Sequence, residues 1–580
     1  MKKLTVLLCC SIISLFVTSQ IIQIPQDYST ISEGFDAAAS GDTILVDHGT
    51  YVENLNIYGK SITIGSLFLT TGDTSHISQT IIDGNQNGPV VIFAPDQTYD
   101  SKFVGFTLTN GSGENGFGGG IFMNESTIIL SHLIISGNTA NNGGGIFCRD
   151  LAVLNLSNSF INNNVATQRG GGIESYNSSL NIENCEISNN EVIDGQGGAI
   201  YYRVTNESEV MPSVNIESSI FAGNFSSVSG RAGGTYFQKS NDLPPINILI
   251  NDCYFADNYS NVNTALEIRG QQTFFEIINC TFESNEAVEY CAGAAFNNYC
   301  SGRVINCLFD SNAAATGGSD WNSGGVSLWS GAEVDFLNCT FVNNTATYGG
   351  GLATGAGSEA LLINCIFWNN EDDQIAILDW NDNGSTVIAR YNDIQGGQDA
   401  ISIDPLSTLQ WGEGNIETDP LFLGGGDYPY SLDVTSPCID VGLTDTVGFN
   451  FPSYDMIGNE RFWDGDGDDI AIIDMGPYEF GSIPVGIEDP FYSEAPSIYI
   501  NIYPNPMSAS TTIEYYLDQS SKVDLHIYNQ LGEQVEVIKQ LYSSGKQQIV
   551  WDAQDLPSGM YYVCIRAEDY ITSTKVLLLR

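Results

Sequence analysis

Positive charge is scarce: 19 Lys and Arg stand against 69 Asp and Glu in 580 residues, a formal net charge of −50. Nucleic acid is thereby excluded as a partner, because phosphate binding relies on clustered cations that displace counterions. The acidity leaves two readings, a solvated self-repelling surface or sites for a divalent cation, and Ca²⁺ suits an oxygen-only ligand set. Charged residues as a class reach only 15%, so helices with charged faces should be rare. Histidine falls to four, and between residues 21 and 480 lysine is confined to Lys60, Lys102 and Lys239. Bases for proton abstraction are correspondingly few. Apolar runs long enough to span a membrane are missing, since the longest, Leu4–Val17, stops short of about 18 residues.

That run, preceded by Lys2 and Lys3 and followed by Val-Thr-Ser, reads as a signal peptide over residues 1–19, which predicts export. Cys9 and Cys10 lie inside its apolar core, too early for a lipoprotein signal. What the chain has in plenty is glycine, 61 residues, together with asparagine, and both recur in register. NCEISNN, DCYFADN, NCTFESN, NCLFDSN, NCTFVNN and NCIFWNN share one pattern, with weaker copies in HLIISGN, NSFINNN and SSIFAGN. Their closing residues, Asn138, Asn164, Asn190, Asn224, Asn258, Asn285, Asn312, Asn344 and Asn370, recur every 26 to 34 residues. An offset signal, GGGIF, GGGIF, GGGIE and GGAIY, repeats with them.

Three short strands separated by glycine and asparagine turns in about 26 residues make one coil of a parallel β-helix. About a dozen coils at ~4.8 Å give a shaft of ~55 Å. In each coil the Cys and the apolar residue two places on, as in Cys280 with Phe282, should face inward. Cys253, Cys280, Cys307, Cys339 and Cys365 are expected to stack as a column of small apolar groups. The preceding series Asn184, Asn279, Asn306, Asn338 and Asn364 is expected to form an amide ladder at the bend. Eleven cysteines remain after the signal, and Cys291 with Cys300 is a candidate pair in a loop. These strings resemble the pectate-lyase-like β-helix superfamily, and GGGI with a later xNN resembles repeats of polymorphic outer-membrane adhesins. The resemblance implies an all-β right-handed parallel β-helix over residues 20–400, without implying an activity.

The N-terminal string IQIPQDYSTISEGFDAAASGDTILV resembles the cap of such helices, with a short amphipathic helix bearing Ile31, Phe35 and Ala38 and begun by Thr30 and Glu33. Residues 401–482, with DMIGNERF and DMGPYEFG, resemble a choice-of-anchor-like module that closes surface-anchored β-helices. Residues 483–498 read as a linker. From 499 to 580 period-two alternation, as in Val523-x-Leu525-x-Ile527, predicts a seven-strand immunoglobulin-like sandwich. Its strings closely resemble the type A C-terminal sorting domain of type IX secretion cargo, with Pro504, Asn505, Pro506, Gly532, Gly559 and Lys575 at the matching positions. The resemblance implies the type IX machinery as partner, delivery to the outer-membrane surface or the medium of a Gram-negative cell, and attachment to surface lipopolysaccharide or release.

For chemistry, Asp464, Asp466, Asp468 and Asp469 alternate with glycine and are the candidate Ca²⁺ ligands. They lack the distal Glu of an EF-hand. Trp321, Trp329 and Trp368 are candidates for a glycan-stacking platform on late coils. Asp372 and Asp373 could supply part of a glycosidase pair, although adjacent acids arise by chance in so acidic a chain. His48, His76 and His132 stand apart, and no Lys or Arg cluster is visible on successive coils. No catalytic residue is assigned. The expectation is a monomeric, non-enzymatic, adhesin-like or glycan-contacting surface protein, against a secreted polysaccharide lyase or glycosidase, or a structural surface-layer component.

Overall fold

The computed structural model describes residues 19–482 except 96–100, 114, 207–210, 316–321, 427, 444–448 and 450, and the strands of a C-terminal unit between 500 and 578. Met1–Thr18 of the expected signal and the expected linker lie outside the described residues.

A single coil shows the plan. Val153–Ser157 belongs to a first sheet and Phe160–Asn162 to a second; Val165–Arg169 lies in a lateral ribbon and Ile173–Tyr176 in a third sheet. Each strand then pairs in parallel with its counterpart one coil on, as Val153 with Ser179 and Phe160 with Glu186. The first sheet reaches 15 strands, the second and third 13 each, and the ribbon seven. At the spacing of paired strands the first sheet is roughly 65 Å long, longer than the dozen coils expected. The last first-sheet strand is Thr408–Trp411, so coils continue past residue 400.

Alternating residues of all three sheets enclose one apolar core. Phe221, Phe255, Phe282, Phe309, Phe341 and Phe367 stack ring on ring, with centroids 4.3–4.9 Å apart and planes within 8° of parallel. That spacing equals the distance between coils, so each ring meets its neighbour without displacing a strand. Cys253, Cys280, Cys307, Cys339 and Cys365 are buried in register beside them, each thiol donating to the carbonyl two residues back. Burial pushes the Cys280 and Cys365 thiols well above their ordinary range. Cys291 and Cys300 are both buried and unpaired, lying on either side of strand Ala294–Asn297, which separates their thiols. They form no loop disulfide.

The amide ladder lies six residues later in the repeat than expected. Asn164 donates from Nδ2 to Asn190 Oδ1 at 3.0 Å and to the Ile135 carbonyl at 2.8 Å, while its Oδ1 accepts from both Asn138 N and Asn138 Nδ2. The same bonds run unbroken through Asn224, Asn258, Asn285, Asn312 and Asn344 to Asn370. Asn184, Asn279, Asn306, Asn338 and Asn364 adopt φ between 50° and 56° at the next bend and bond to one another only in part, Asn306 donating to Asn279 Oδ1 at 3.1 Å and Asn184 to Asn158 Oδ1 at 2.6 Å. That left-handed conformation, tolerated by Asn, turns their side chains outward. Glycine serves the opposite corner differently: a Cβ on Gly144 or Gly145 would lie 2.5 or 2.6 Å from a carbonyl oxygen of the next coil.

Helix Ile31–Ala37 covers the first coil through Ile31 and Phe35, with Glu33 N donating to Thr30 Oγ1 at 3.1 Å. In the C-terminal unit a three-stranded and a four-stranded antiparallel sheet share a core that includes Ile513, Leu525, Trp551 and Val563. This is a seven-strand sandwich.

Asn258→Ala removes the acceptor for two Asn224 donors and the donor to the buried Phe221 carbonyl. It should destabilise the shaft by about 2–4 kcal/mol. Asn184→Gly, at an exposed bend where glycine accepts positive φ, should change stability by less than about 0.5 kcal/mol. Parallel urea melts followed by circular dichroism check the contrast.

Candidate functional site

The outer face of the first sheet carries an open groove of about 830 Å³, lined by strands of successive coils between Ser213 and Leu361. Two register columns build it. Glu276, Arg303 and Asp335 follow one another on consecutive coils, as do Phe274, Ser301, Glu333 and Glu359. With Glu217 the lining holds five carboxylates and Arg303. The Arg303 guanidinium lies 3.7 Å from Glu276 and donates to the Phe449 carbonyl, so it is oriented from both sides. Burial raises the Asp335 carboxyl above the usual aspartate range, against the pull of Arg303 and with the push of Glu333. Phe274 is 45% exposed within this acidic setting and offers an apolar face for a sugar ring. These residues were missed in the sequence, yet they stand four and six places before the repeat cysteine, where an alignment on Cys280, Cys307, Cys339 and Cys365 exposes them.

Residues 421–482 do not simply close the end of the shaft. Those of them that are described form an arm that runs back along the corner between the first and second sheets, and the outward asparagines hold it. Asn306 donates to the Tyr454 carbonyl at 3.0 Å, Asn338 to the Asp474 carbonyl at 3.0 Å, and Asn364 accepts from Leu443 N at 2.7 Å. Asn184, on a coil before the arm, is exposed. Leu443, Phe449 and Phe451 cover Ile305, Leu337 and Ile363. DMIGNERF and DMGPYEFG meet in one buried knot: Arg461 bonds Asn306 Oδ1 at 2.6 Å, the Gly476 carbonyl at 2.9 Å and Glu479 at 3.2 Å. Asp474 accepts from Asp440 N and Phe480 N.

The acidic turn is narrower as a cation site than its four aspartates suggest. Asp464 and Asp466 converge with Asp440, one oxygen of each lying within 4.8 Å of the others. Asp440 comes from another part of the arm and was not foreseen. Asp468 and Asp469 are outside this group: Asp468 Oδ1 accepts from Ile470 N, and Asp469 donates its N–H to Asp464 Oδ2. The six-residue turn Asp464–Asp469 does not aim all four side chains at one point.

Trp329 and Trp368 share no platform. Trp321 lies outside the described residues. Trp329 is on the third sheet, 6.4 Å from Trp380, whereas Trp368 is on the second sheet, packed under the arm with Ile416, Phe422 and Phe480. They occupy different positions of the repeat and hence different faces. Asp372 is exposed on a bend and Asp373 half-buried. His48 and His76, far apart in sequence, adjoin with ring centroids 4.7 Å apart, and His132 packs against Phe68. Among the tag positions, Gly559 pairs with Leu578 and Lys575 with Tyr562 in the last two strands, while Pro504, Asn505, Pro506 and Gly532 lie outside the described residues.

Comparison with known families gives two matches. Residues 264–417 match the right handed beta helix region, and residues 501–579 match the secretion system C-terminal sorting domain. No curated protein matches the chain. The chain is therefore a secreted β-helix protein with a type IX sorting tail, which makes that secretion machinery a partner.

Burial chiefly raises the Asp474 carboxyl from 3.8 to about 7. A carboxyl raised by folding stabilises the folded state below its unfolded value, and that contribution is lost as pH rises through 7. Thermal melts of the shaft should therefore flatten between pH 5 and 8 in Asp474→Asn relative to the parent, whose melting temperature falls over that window.

Proposed function

We propose that the chain is a non-enzymatic, adhesin-like surface shaft that contacts glycan through the first-sheet groove. The single observation behind this reading is the groove itself: elongated, open, floored by strands rather than loops, and combining Phe274 with Arg303 and polar acceptors. Sugar rings stack on an apolar face while their hydroxyls bond to carboxylates, so a neutral glycan suits this lining better than a uronate, which five carboxylates would repel. Lyase chemistry needs a neutral base beside the abstracted proton, and the cation in the groove is a guanidinium, protonated at any physiological pH. The proposed shaft is a monomer exported by the type IX route and then either released or held on surface lipopolysaccharide. A structural surface-layer role would instead require shafts to assemble with one another.

One observation favours the enzymatic alternative. Glu276 and Asp335 sit on alternate coils, about 10 Å apart by strand spacing. This is close to the upper separation of an inverting glycosidase pair, and the raised Asp335 carboxyl would be the acid. An array of neutral and anionic glycans, run beside reducing-end and unsaturated-product assays, separates the readings. The expected outcome is retention of neutral glycan, weakened at least about fivefold by Phe274→Ala. No new reducing ends should form. Release of reducing ends that Asp335→Asn abolishes would establish the hydrolase instead.

We further propose Ca²⁺ at Asp440, Asp464 and Asp466. Three converging carboxylates repel one another, and a divalent cation offsets that repulsion. EDTA should lower the melting temperature of the shaft by a few degrees and CaCl₂ restore it, with Asp440→Asn removing the response; a parent protein insensitive to EDTA would eliminate the site.

A further inference from the structure

The chain has few cations, yet folding gathers five of them on one face. Asn124, Arg149, Tyr176, Arg203, Gln238, Arg269, Asn297 and Trp329 succeed one another in a single outward column of the third sheet. Facing it, the lateral ribbon carries Asn142, Arg169, Gln196, Arg231 and Val262 on consecutive coils. The arginine cluster that the sequence hides is thus real, and Arg149, Arg203 and Arg269 each stand four places after the last small residue of the corner, Gly145, Ala199 and Ala265.

Between the two columns lies a floor of residues that point out of the sheet and are nevertheless buried: Phe147, Glu174, Tyr201, Tyr236 and Glu267. Tyr201 and Tyr236 stack at 5.4 Å, and the Arg169 guanidinium lies 5.4 Å above the Tyr201 ring. Arg231 and Arg269 both approach Glu267 Oε1, at 2.9 and 3.6 Å. Two guanidiniums therefore share one carboxylate, and the second oxygen of that carboxylate is without a hydrogen-bond partner, as is Oε2 of Glu174. Burial raises the Glu174 carboxyl to about 8 despite Arg169 and Arg203, so at neutral pH it offsets little of their charge. The Arg203 Nε is also buried without a partner. At its far end the cleft widens to a hollow of about 230 Å³ between Arg231, Arg269, Tyr290 and Trp329.

We propose that this cleft binds an anionic polysaccharide, a chain bearing carboxylate or sulfate groups, laid along the shaft axis. Arg149 is itself paired with Asp150 at 2.5 Å, yet the five guanidiniums still outnumber the three carboxylates Asp150, Glu174 and Glu267, on a protein otherwise so acidic that an anion would find no comparable stretch among the described residues. Guanidinium donors match the planar pair of oxygens on a carboxylate and the oxygens of a sulfate, and the Tyr176 and Trp329 rings add apolar faces for the sugars between. The excess charge is sparse. The Glu174 and Glu267 levels are three coils apart, about 14 Å. A single-stranded nucleic acid, with a phosphate on every nucleotide, would bring most of its charges against uncharged or acidic surface. A polysaccharide whose anions are separated by two or more sugars comes nearer to that interval. This site lies on a different sheet from the first-sheet groove and stands whether or not that groove binds neutral glycan.

The test uses the purified exported chain and three immobilised probes: hyaluronan, carrying carboxylates; dextran sulfate, carrying sulfates; and neutral dextran. At 150 mM NaCl the protein should bind at least one of the two anionic polymers, release it as salt rises, and ignore dextran at this site. Arg149→Gln with Arg203→Gln should weaken binding by about tenfold or more. The melting temperature should hold, and Lys102→Gln, on the exposed first sheet, should bind as the parent does. Comparing hyaluronan with dextran sulfate identifies the anion. Failure to bind either polymer, equal binding by the double variant, or tighter binding of a single-stranded oligonucleotide of equal length would overturn the proposal.

Discussion

Everything in the shaft depends on what happens to the backbone at the corner after the second sheet. Strands satisfy their own amides by pairing with the next coil, but a chain turning inward leaves N–H and C=O groups facing an apolar interior. Unpaired, each would cost about 1–3 kcal/mol, and the same corner recurs on every coil. The nine asparagines from Asn138 to Asn370 remove that cost with one side chain per coil, each bonded to the amide of its neighbour and to a buried main-chain carbonyl. The bond from one coil is completed only by the coil that follows. The ladder thereby fixes register as well as satisfying the corner, and the phenylalanine stack and the cysteine column lie where that register brings them.

A fixed register turns sequence position into surface geography. Each face collects one residue per coil from one place in the repeat, and so a protein with a charge of −50 can hold an acidic groove on its first sheet and an arginine cleft along its third. The outward bend asparagines show the same economy: on early coils they meet solvent, and on late coils they hold the arm that carries the buried Arg461.

Much of this was readable in the chain. The repeat period, the inward Cys and Phe, the capping helix and the C-terminal sandwich follow from periodicity and turn chemistry. The expected bend series bonds only in places, as Asn306 with Asn279, and the unbroken buried ladder was missed because both series recur with the same period, and only φ near 50° distinguishes an outward bend residue from an inward one. Asp440 was missed because it joins Asp464 and Asp466 through the fold of the arm rather than through spacing. The arginines were missed because Arg149 and Arg169 lie on successive coils and on different strands, while Arg203 and Arg269 are separated by a coil that carries Gln238 in their place. Tryptophans that looked like neighbours by number fell on separate sheets for the converse reason.

Hydrogen exchange of the shaft, resolved residue by residue, tests the central claim most directly. If the ladder holds the coils in register, the amides of Asn138, Asn164, Asn190, Asn224, Asn258, Asn285, Asn312 and Asn344 will be among the slowest to exchange and will open together. Exchange of these amides at the rate of the outward bends at Asn184 and Asn279, or independently from one coil to the next, would contradict it.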